Sequence, residues 1–214
     1  MGGLWWNVGR GQMQMRFKRA ADIIASTALL LGLSPILLLT AMGIVATMGR
    51  PILFRQRRAG LHGHAFTLVK FRTMDLARDL DGKLLPDDVR LTRLGRFLRR
   101  ASLDELPQLW NVLKGEMSLV GPRPLMAEYL GRYTPRQERR HEVRPGITGW
   151  VQVNGRNSLE WEEKFELDIW YVEHRCFRLD LKILFRTAIT LFKRAGISHS
   201  GAATMPEYTG CGRP

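Results

Sequence analysis

The longest apolar stretch of the chain lies near its N-terminus and runs from Ala20 to Met48. Its single charged residue is Asp22, close to the start. A membrane-spanning helix needs about 20 predominantly apolar residues, so this stretch is long enough to enter a bilayer. A cleaved signal peptide would be shorter and would end at a small-residue cleavage site. The pattern therefore predicts a membrane segment that the protein retains.

The apolar stretch is interrupted by the pair Ser34 and Pro35. Proline removes a helical hydrogen bond and clashes with the preceding turn, which predicts a kink. Basic residues flank the stretch: Arg16, Lys18 and Arg19 on one side, and Arg50, Arg55, Arg57 and Arg58 on the other. Because basic residues favour the cytoplasmic face, a helix that bends back to that face keeps both clusters there. The charges favour this re-entrant shape, and a single-pass anchor with a tolerated proline stays open.

Short strand patterns follow the apolar stretch. Residues 51–56 and 65–71 have the composition of strands, and the turn sequence GLHG at 60–63 between them predicts a β-hairpin. A further strand is predicted at 150–153.

Helical periodicity dominates the rest of the chain. Helices are predicted at 91–100, 102–115, 125–133, 158–174 and 179–194. Ser102 and Glu105 match a capping box that would open the second of these helices. The last helix has an apolar side, which is typical of a helix on a membrane surface and equally of one packed on a core. The predicted fold class is α+β, mostly helical with a small β-hairpin or sheet. It includes an N-terminal re-entrant (helix-break-helix) membrane segment and amphipathic interfacial helices.

Composition narrows the choice of partner. The chain has 214 residues and a net charge of +13, which predicts an anionic partner such as nucleic acid, anionic lipid or a phosphorylated substrate. Cys176 and Cys211 match neither a metal-ligand spacing nor a disulfide framework, which favours a reducing, cytoplasm-facing domain. The sequence carries none of the standard nucleic-acid-binding motifs, so the apolar stretch favours lipid or phosphorylated partners.

The adjacent carboxylates of Asp104 and Glu105 are the main candidates for chemistry. Acidic residues in a first helical turn usually just stabilise the helix dipole. Here four arginines precede the pair, and Arg123 follows it in a loop stiffened by two prolines. Guanidinium groups suit phosphate oxygens and carboxylates suit Mg²⁺, so the combination favours a phosphate site with a metal ion. On these grounds the catalytic and the capping interpretations both stay open.

Five motifs, in order and without a large gap, resemble those of the bacterial sugar transferase family. They are KFRTM at 70–74, SLDELPQ at 102–108, SLVGPRP at 118–124, RPGITGW at 144–150 and NGRN at 154–157. Members of this family are monotopic phosphoglycosyl transferases that start glycan assembly on polyprenyl phosphate. The chain resembles the minimal form, because it lacks the additional membrane helices found in some relatives.

The resemblance implies a reaction for the acidic pair. Asp104 is expected to attack the β-phosphate of a UDP-sugar, which releases UMP and leaves a covalent aspartyl phospho-sugar. Glu105 is expected to act as the base when polyprenyl (undecaprenyl) phosphate attacks that intermediate, and a role as second metal ligand stays open. Mg²⁺ is the implied cofactor, on Asp104 and the diphosphate. The product would be the first membrane intermediate of exopolysaccharide, O-antigen, capsule or glycoprotein glycan synthesis.

The resemblance also implies phosphate-binding residues and an organisation. The implied phosphate-binding residues are Arg123, Lys70, Arg99, Arg144 and Arg156. The implied organisation is an N-terminal extension at 1–15, a re-entrant membrane helix at 16–49, a cytoplasmic catalytic domain at 50–197 and a mobile C-terminal tail at 198–214. In the family the re-entrant helix breaks at a Ser-Pro pair, which Ser34 and Pro35 match. The implied location is the bacterial inner (cytoplasmic) membrane, with the catalytic domain on the cytoplasmic face.

The expected partners are a UDP-sugar, polyprenyl phosphate and membrane lipid, and not nucleic acid. A homodimer, the identity of the sugar and the glycan pathway stay open. A non-catalytic, membrane-anchored binding protein would explain the charge but not the acidic pair among arginines. A glycosyltransferase that moves the bare sugar would instead release a nucleoside diphosphate.

Overall fold

A computed structural model of the protein describes residues 3–155, 159–193 and 208–210. Arg156 and most of the predicted tail at 198–214 lie outside these residues. The helices are α1 (Gly3–Gly32), α2 (Ser34–Met48), α3 (Asp87–Arg90), α4 (Arg93–Arg100), α5 (Gln108–Lys114), α6 (Pro135–Glu138), α7 (Trp150–Val153), α8 (Trp161–His174) and α9 (Phe177–Lys193). The strands are β1 (Leu53–Ala59), β2 (Ala65–Phe71), β3 (Ser118–Val120) and β4 (Gly146–Thr148). Short 3-10 turns lie at Leu61–Gly63, Leu103–Glu105, Ala127–Arg132 and Arg139–Glu142. The α+β class is confirmed.

The apolar stretch forms two helices that are bent by 61° relative to each other. Pro35 is the second residue of α2, where its missing N–H leaves no helical bond unmade. The Ser34 hydroxyl donates a hydrogen bond of 2.7 Å to the carbonyl of Leu31. Of the described helices, none is long and apolar enough by itself to cross a membrane, whereas 13–32 and 34–48 together are. The kink is confirmed, and the re-entrant path stays a prediction.

Helix α1 already begins at Gly3, so the predicted extension at 1–15 continues directly into the predicted membrane segment. Farther along α1, the buried carboxylate of Asp22 accepts hydrogen bonds from the Ser118 hydroxyl (2.8 Å) and the Leu119 amide (3.2 Å). Arg19 donates to two carbonyl groups at the end of α5. A buried carboxylate requires such hydrogen-bond partners. The contacts of Asp22 therefore attach α1 to β3.

The strands form two separate sheets. β1 and β2 pair antiparallel, from Leu53 opposite Phe71 to Ala59 opposite Ala65, which confirms the hairpin. β3 and β4 pair parallel. The strand predicted at 150–153 is wrong, because those residues form the helical turn α7. The extended segment lies just before it, where a Cβ on Gly146 would come within 2.1 Å of the backbone nitrogen of Gly121, so only glycine permits this strand pairing.

Helix α9 has two kinds of apolar side chains. Leu179 and Ile183 are buried in the main core, next to Val112 and Met117. Its exposed apolar side chains are Phe177, Leu181, Leu184, Phe185 and Ile189. The exposed set agrees with the predicted interfacial helix, and the buried set shows that α9 also belongs to the core of the domain.

A second core cluster is built from aromatic rings. Tyr129, Tyr133 and Phe165 pack with Tyr208, whose hydroxyl donates a hydrogen bond of 3.0 Å to Gln137. His141 lies beside this cluster, with its ring centre 5.5 Å from that of Tyr133. Burial, and next the charge of Arg140, lowers the pKa of His141 to about 4. The imidazole is therefore neutral in the folded protein at neutral pH.

We predict that His141 makes the fold sensitive to acid. Its folded pKa of about 4 lies below the ordinary value of 6.5, so the unfolded chain binds more protons between these two values. Stability should therefore fall as the pH drops through this window, by about 3 kcal/mol in total. His141→Gln should remove that part of the slope in thermal unfolding measured from pH 7 to pH 4, whereas the exposed His174→Gln should leave it unchanged. An equal slope in wild type and His141→Gln would contradict the prediction.

Candidate active site

The acidic pair lies in a short 3-10 turn, Leu103–Glu105, between α4 and α5, and not in the first turn of an α-helix. Ser102 has φ 54° and ψ 21°, in the left-handed region, and its side chain makes no capping hydrogen bond. The predicted capping box is therefore wrong: Leu103–Glu105 form a 3-10 turn, and α5 starts only after Pro107. The left-handed residue turns the chain sharply and places Asp104 in the interior. The predicted end of the helix at Gly115 is confirmed.

Asp104 is buried, with 5% of its surface exposed. Burial, and next the negative charge of Glu105, raises the pKa of Asp104. The positive charges of Lys70, Arg99 and Arg123 act in the opposite direction and favour the carboxylate. The charges of four residues that the sequence predicts for the site thus act on Asp104. These residues are Glu105, Lys70, Arg99 and Arg123. This is the arrangement expected of a carboxylate that must work in its ionised form beside anionic ligands.

The cations around Asp104 are held by different elements. Lys70, on β2, has its ammonium 5.5 Å from the ring centre of Phe54 on the neighbouring strand. Burial lowers the pKa of Lys70, and the charge of Asp104 opposes that shift. Arg99, on α4, donates a hydrogen bond of 3.0 Å from Nε to the Thr73 hydroxyl. The side chains of Lys70 and Arg99 are therefore oriented by contacts with residues other than Asp104 and Glu105.

Arg123 joins the loop after β3 to the acidic turn, through an ion pair of 2.6 Å with Glu105. Its own backbone carbonyl accepts a hydrogen bond of 2.8 Å from Arg140. Arg140 in turn forms an ion pair of 2.7 Å with Asp168 on α8, and both side chains are almost fully buried. This pair fixes the backbone at Arg123. Sequence reasoning missed both partners, because nothing local marks a contact between residues so far apart in the chain.

Arg144 lies elsewhere. It donates a hydrogen bond of 2.8 Å to the carbonyl of Gly115, at the end of α5. A cation at this place complements the helix dipole and satisfies a free carbonyl. The structure does not bring Arg144 into the group around Asp104, and its predicted contact with substrate stays a prediction.

Two cavities adjoin the acidic turn. The first, of about 30 Å³, is polar and is lined by Arg58, Leu68, Lys70, Glu105, Gln108, Arg123 and Pro124. The second, of about 410 Å³, is an entirely apolar groove between α1, α2, the hairpin and the start of α5. It is lined by Leu30, Leu37, Ala41, Ile52, Leu53, Val69, Phe71, Pro107 and Trp110. The site thus offers a charged pocket and an apolar groove, on either side of the hairpin and the acidic turn.

The residues present fit a Mg²⁺ ion that is shared with substrate. Among the described residues, no group of three or more His, Cys, Asp or Glu side chains could hold a metal without help. Mg²⁺ in phosphoryl-transfer sites is commonly bound by one or two carboxylates together with substrate phosphates. Asp104 and Glu105 provide carboxylates beside cations that suit phosphate, so the donor set matches this mode.

Comparison with known proteins shows the family to which the chain belongs. The model of the family described as bacterial sugar transferase matches residues 13–194. The chain therefore belongs to the bacterial sugar transferase family, and it is a transferase. This confirms the resemblance seen in the sequence motifs.

Individual relatives refine the comparison. The chain is 54% identical over 198 residues to the uncharacterized sugar transferase EpsL of Bacillus subtilis (strain 168), covering 92% of this chain and 98% of EpsL. It is 42% identical over 192 residues to UDP-glucose:undecaprenyl-phosphate glucose-1-phosphate transferase of Klebsiella pneumoniae, covering 85% of this chain and 40% of that protein. It is 38% identical over 196 residues to undecaprenyl-phosphate galactose phosphotransferase of Salmonella typhimurium, covering 84% and 41%. The chain thus spans about two fifths of these last two relatives.

We predict that the left-handed conformation of Ser102 places the acidic pair. Ser102→Val should destabilise the protein by about 1–2 kcal/mol, because a β-branched residue is strained at positive φ. Ser102→Gly should be tolerated, since glycine adopts this conformation without strain. Thermal unfolding of both variants provides the test. Equal melting temperatures for Val and Gly would show that the conformation at 102 is not a constraint.

Proposed function

We propose that the chain transfers a sugar-1-phosphate from a UDP-sugar to polyprenyl phosphate and releases UMP. The observation that carries this proposal is Asp104, a buried carboxylate among Lys70, Arg99 and Arg123 and next to Glu105. A carboxylate in such a setting can attack phosphorus while cations bind the phosphate oxygens. The names of the Klebsiella and Salmonella relatives, which specify undecaprenyl-phosphate transfer of glucose and galactose phosphates, support this choice of substrates.

The first half-reaction uses Asp104 as nucleophile. A carboxylate oxygen attacks the β-phosphorus of the UDP-sugar, and the bond from this phosphorus to the bridging oxygen breaks. UMP leaves with the bridging oxygen, and the sugar-1-phosphate remains on Asp104 as an acyl phosphate. Arg123 would bind phosphate oxygens; its ion pair with Glu105 beside Asp104 and its planar donors, which suit bidentate contacts, support this role. When bound by Asp104 and the diphosphate, Mg²⁺ would offset negative charge on the phosphate oxygens.

The second half-reaction restores the carboxylate. An oxygen of polyprenyl phosphate attacks the phosphorus of the intermediate, and the bond to Asp104 breaks. The product is a polyprenyl diphosphate sugar. Glu105 is next in sequence and is positioned by Arg123, so it can accept the proton if the attacking phosphate is monoprotonated. Both half-reactions use one site, which agrees with the small polar cavity beside the acidic turn.

The apolar groove supports a lipid acceptor. Its lining includes Leu30 and Leu37, one from each arm of the bent helix pair, and Pro107, three residues after Asp104. It can therefore accommodate the first isoprene units of the acceptor next to the acidic turn. We propose that the bent pair lies in the cytoplasmic membrane as a re-entrant helix, with the catalytic residues on the cytoplasmic face. The exposed apolar side chains of both arms support this location.

Asp104→Asn should abolish turnover. The amide is a poor nucleophile, so UMP release from UDP-glucose or UDP-galactose with undecaprenyl phosphate and Mg²⁺ should fall by several orders of magnitude. Asp88→Asn, at an exposed aspartate of α3, is the matched control and should retain wild-type activity. Release of UDP in place of UMP would indicate transfer of the bare sugar and would overturn the proposal, as would full activity of Asp104→Asn.

Filling the groove should weaken binding of the acceptor selectively. Ala41→Phe places a ring in the apolar groove and should raise KM for undecaprenyl phosphate roughly tenfold, a loss of about 1.4 kcal/mol. UMP release in the first half-reaction should not change. Leu38→Phe, on the exposed side of the same helix, is the control. An unchanged KM for the acceptor in Ala41→Phe would show that the lipid chain binds elsewhere.

A further inference from the structure

Arg58 lies at a fixed position in the polar cavity although no motif marks it in the sequence. Arg58 is on β1. One edge of β1 pairs with β2, and its other edge lies next to the segment that follows the loop of Arg123. Arg58 forms a bridge with Met126, and the amide of Ala59 donates a hydrogen bond of 3.0 Å to the carbonyl of Leu125. The backbone of Arg58 is thus held by β2 on one side and by this segment on the other.

The contacts of the Arg58 guanidinium group leave it incompletely satisfied. One terminal nitrogen donates a hydrogen bond of 2.7 Å to Gln56. The other lies 3.4 Å from the carbonyl of Pro124, at the long end for a hydrogen bond. The Nε atom is buried and has no partner. Among the described residues, no carboxylate lies within ion-pair distance of Arg58.

A largely buried cation with no paired carboxylate and an unused donor costs free energy. Burial, and next the charge of Arg123, lower the pKa of Arg58, whereas the charges of Tyr129, Glu128 and Glu105 oppose that shift without cancelling it. A bound anion would offset both costs, because it supplies an acceptor for Nε and a counter-charge for Arg58. The polar cavity that Arg58 shares with Lys70, Arg123 and the Glu105 carboxylate, which is already paired with Arg123, is the place where an anion can reach it.

We infer that Arg58 is a further phosphate-binding residue of this site, opposite Arg123. The inference rests on the proposed function, because it assigns Arg58 to the phosphate groups of that reaction. Two arginines, one from a strand and one from a loop, would contact phosphate oxygens from two directions and leave Asp104 free to reach phosphorus. The ligand class is a phosphate ester, either the diphosphate of the nucleotide-sugar or the phosphate of the lipid acceptor.

The test compares Arg58→Gln and Arg58→Lys with Arg57→Gln. Arg57 is the preceding residue on β1, on its other face and exposed, so it matches Arg58 in charge and in strand. The measurements are UMP release without acceptor, KM for each substrate, UDP binding by calorimetry and the melting temperature. We expect Arg58→Gln to raise one KM at least roughly tenfold, and Arg58→Lys to restore it only in part, because lysine lacks the planar donors. Arg57→Gln should behave as wild type.

The outcomes separate the two phosphate sources. Slower UMP release without acceptor and weaker UDP binding would assign Arg58 to the nucleotide-sugar. Normal UMP release with a raised KM for undecaprenyl phosphate would assign it to the acceptor. If both KM values and UDP binding stay within about twofold of wild type, the inference is overturned, even if kcat falls because the loop at Pro124 is disturbed. If Arg58→Gln unfolds, Arg58→Lys is judged by the same criteria.

Failure of the proposed function would be visible separately. Wild-type protein that releases no UMP from any UDP-sugar would overturn the proposed reaction. The phosphate-binding role of Arg58 would then still be tested by the binding of inorganic pyrophosphate to wild type and to Arg58→Gln. Weaker binding in the variant alone would support the phosphate-binding role, and equal binding would overturn it.

Discussion

The structure depends on the burial of one carboxylate. Asp104 is almost fully removed from solvent and stands next to a second acid, Glu105, and both conditions disfavour its charged form. Nearby positive charge counteracts both effects and favours the carboxylate. Lys70, Arg99 and Arg123 provide that charge from a strand, a helix and a loop. Because they come from separate elements, the positions of those elements must be fixed for the site to exist.

Each element is held by a contact that is remote from the acidic pair. α4 packs against the chain after β2 so closely that a Cβ on Gly95 would lie 1.8 Å from the carbonyl oxygen of Thr73. The loop of Arg123 is fixed by the buried ion pair of Arg140 and Asp168. Such a pair is costly to break, because a partner left alone is a buried charge. The contacts that position the candidate site are therefore distributed over most of the domain.

Local sequence patterns predicted features whose causes are local. The kink at Pro35 follows from the missing amide of proline, the hairpin from two strand runs and a glycine turn, and the end of α5 from Gly115. The acidic pair was predicted as a candidate site because its arginine neighbours are unusual in the sequence itself. The capping box at Ser102 was wrong because this residue adopts a left-handed conformation, in which its side chain makes no capping hydrogen bond.

Features with distant causes were not predictable in this way. The strand at 146–148 exists because Gly146 meets Gly121 closely, and the contacts of Asp22 join α1 to β3 across the chain. Arg58 was counted as one of several basic residues that flank the apolar stretch. Its place in the polar cavity became clear only from the pairing of β1 with the segment after Arg123. Helical and strand periodicities contain no information about such long-range contacts.

The most direct measurement is the intact mass of the protein after incubation with Mg²⁺ and UDP-glucose or UDP-galactose, in the absence of polyprenyl phosphate. The account predicts an added mass of one hexose phosphate with release of one UMP, on the peptide that contains Asp104, and its loss when undecaprenyl phosphate is added. The contradicting result has two parts: UMP is released when the acceptor is present, and no adduct on Asp104 is found when the reaction without acceptor is rapidly quenched. This result would contradict the central role of this carboxylate as nucleophile.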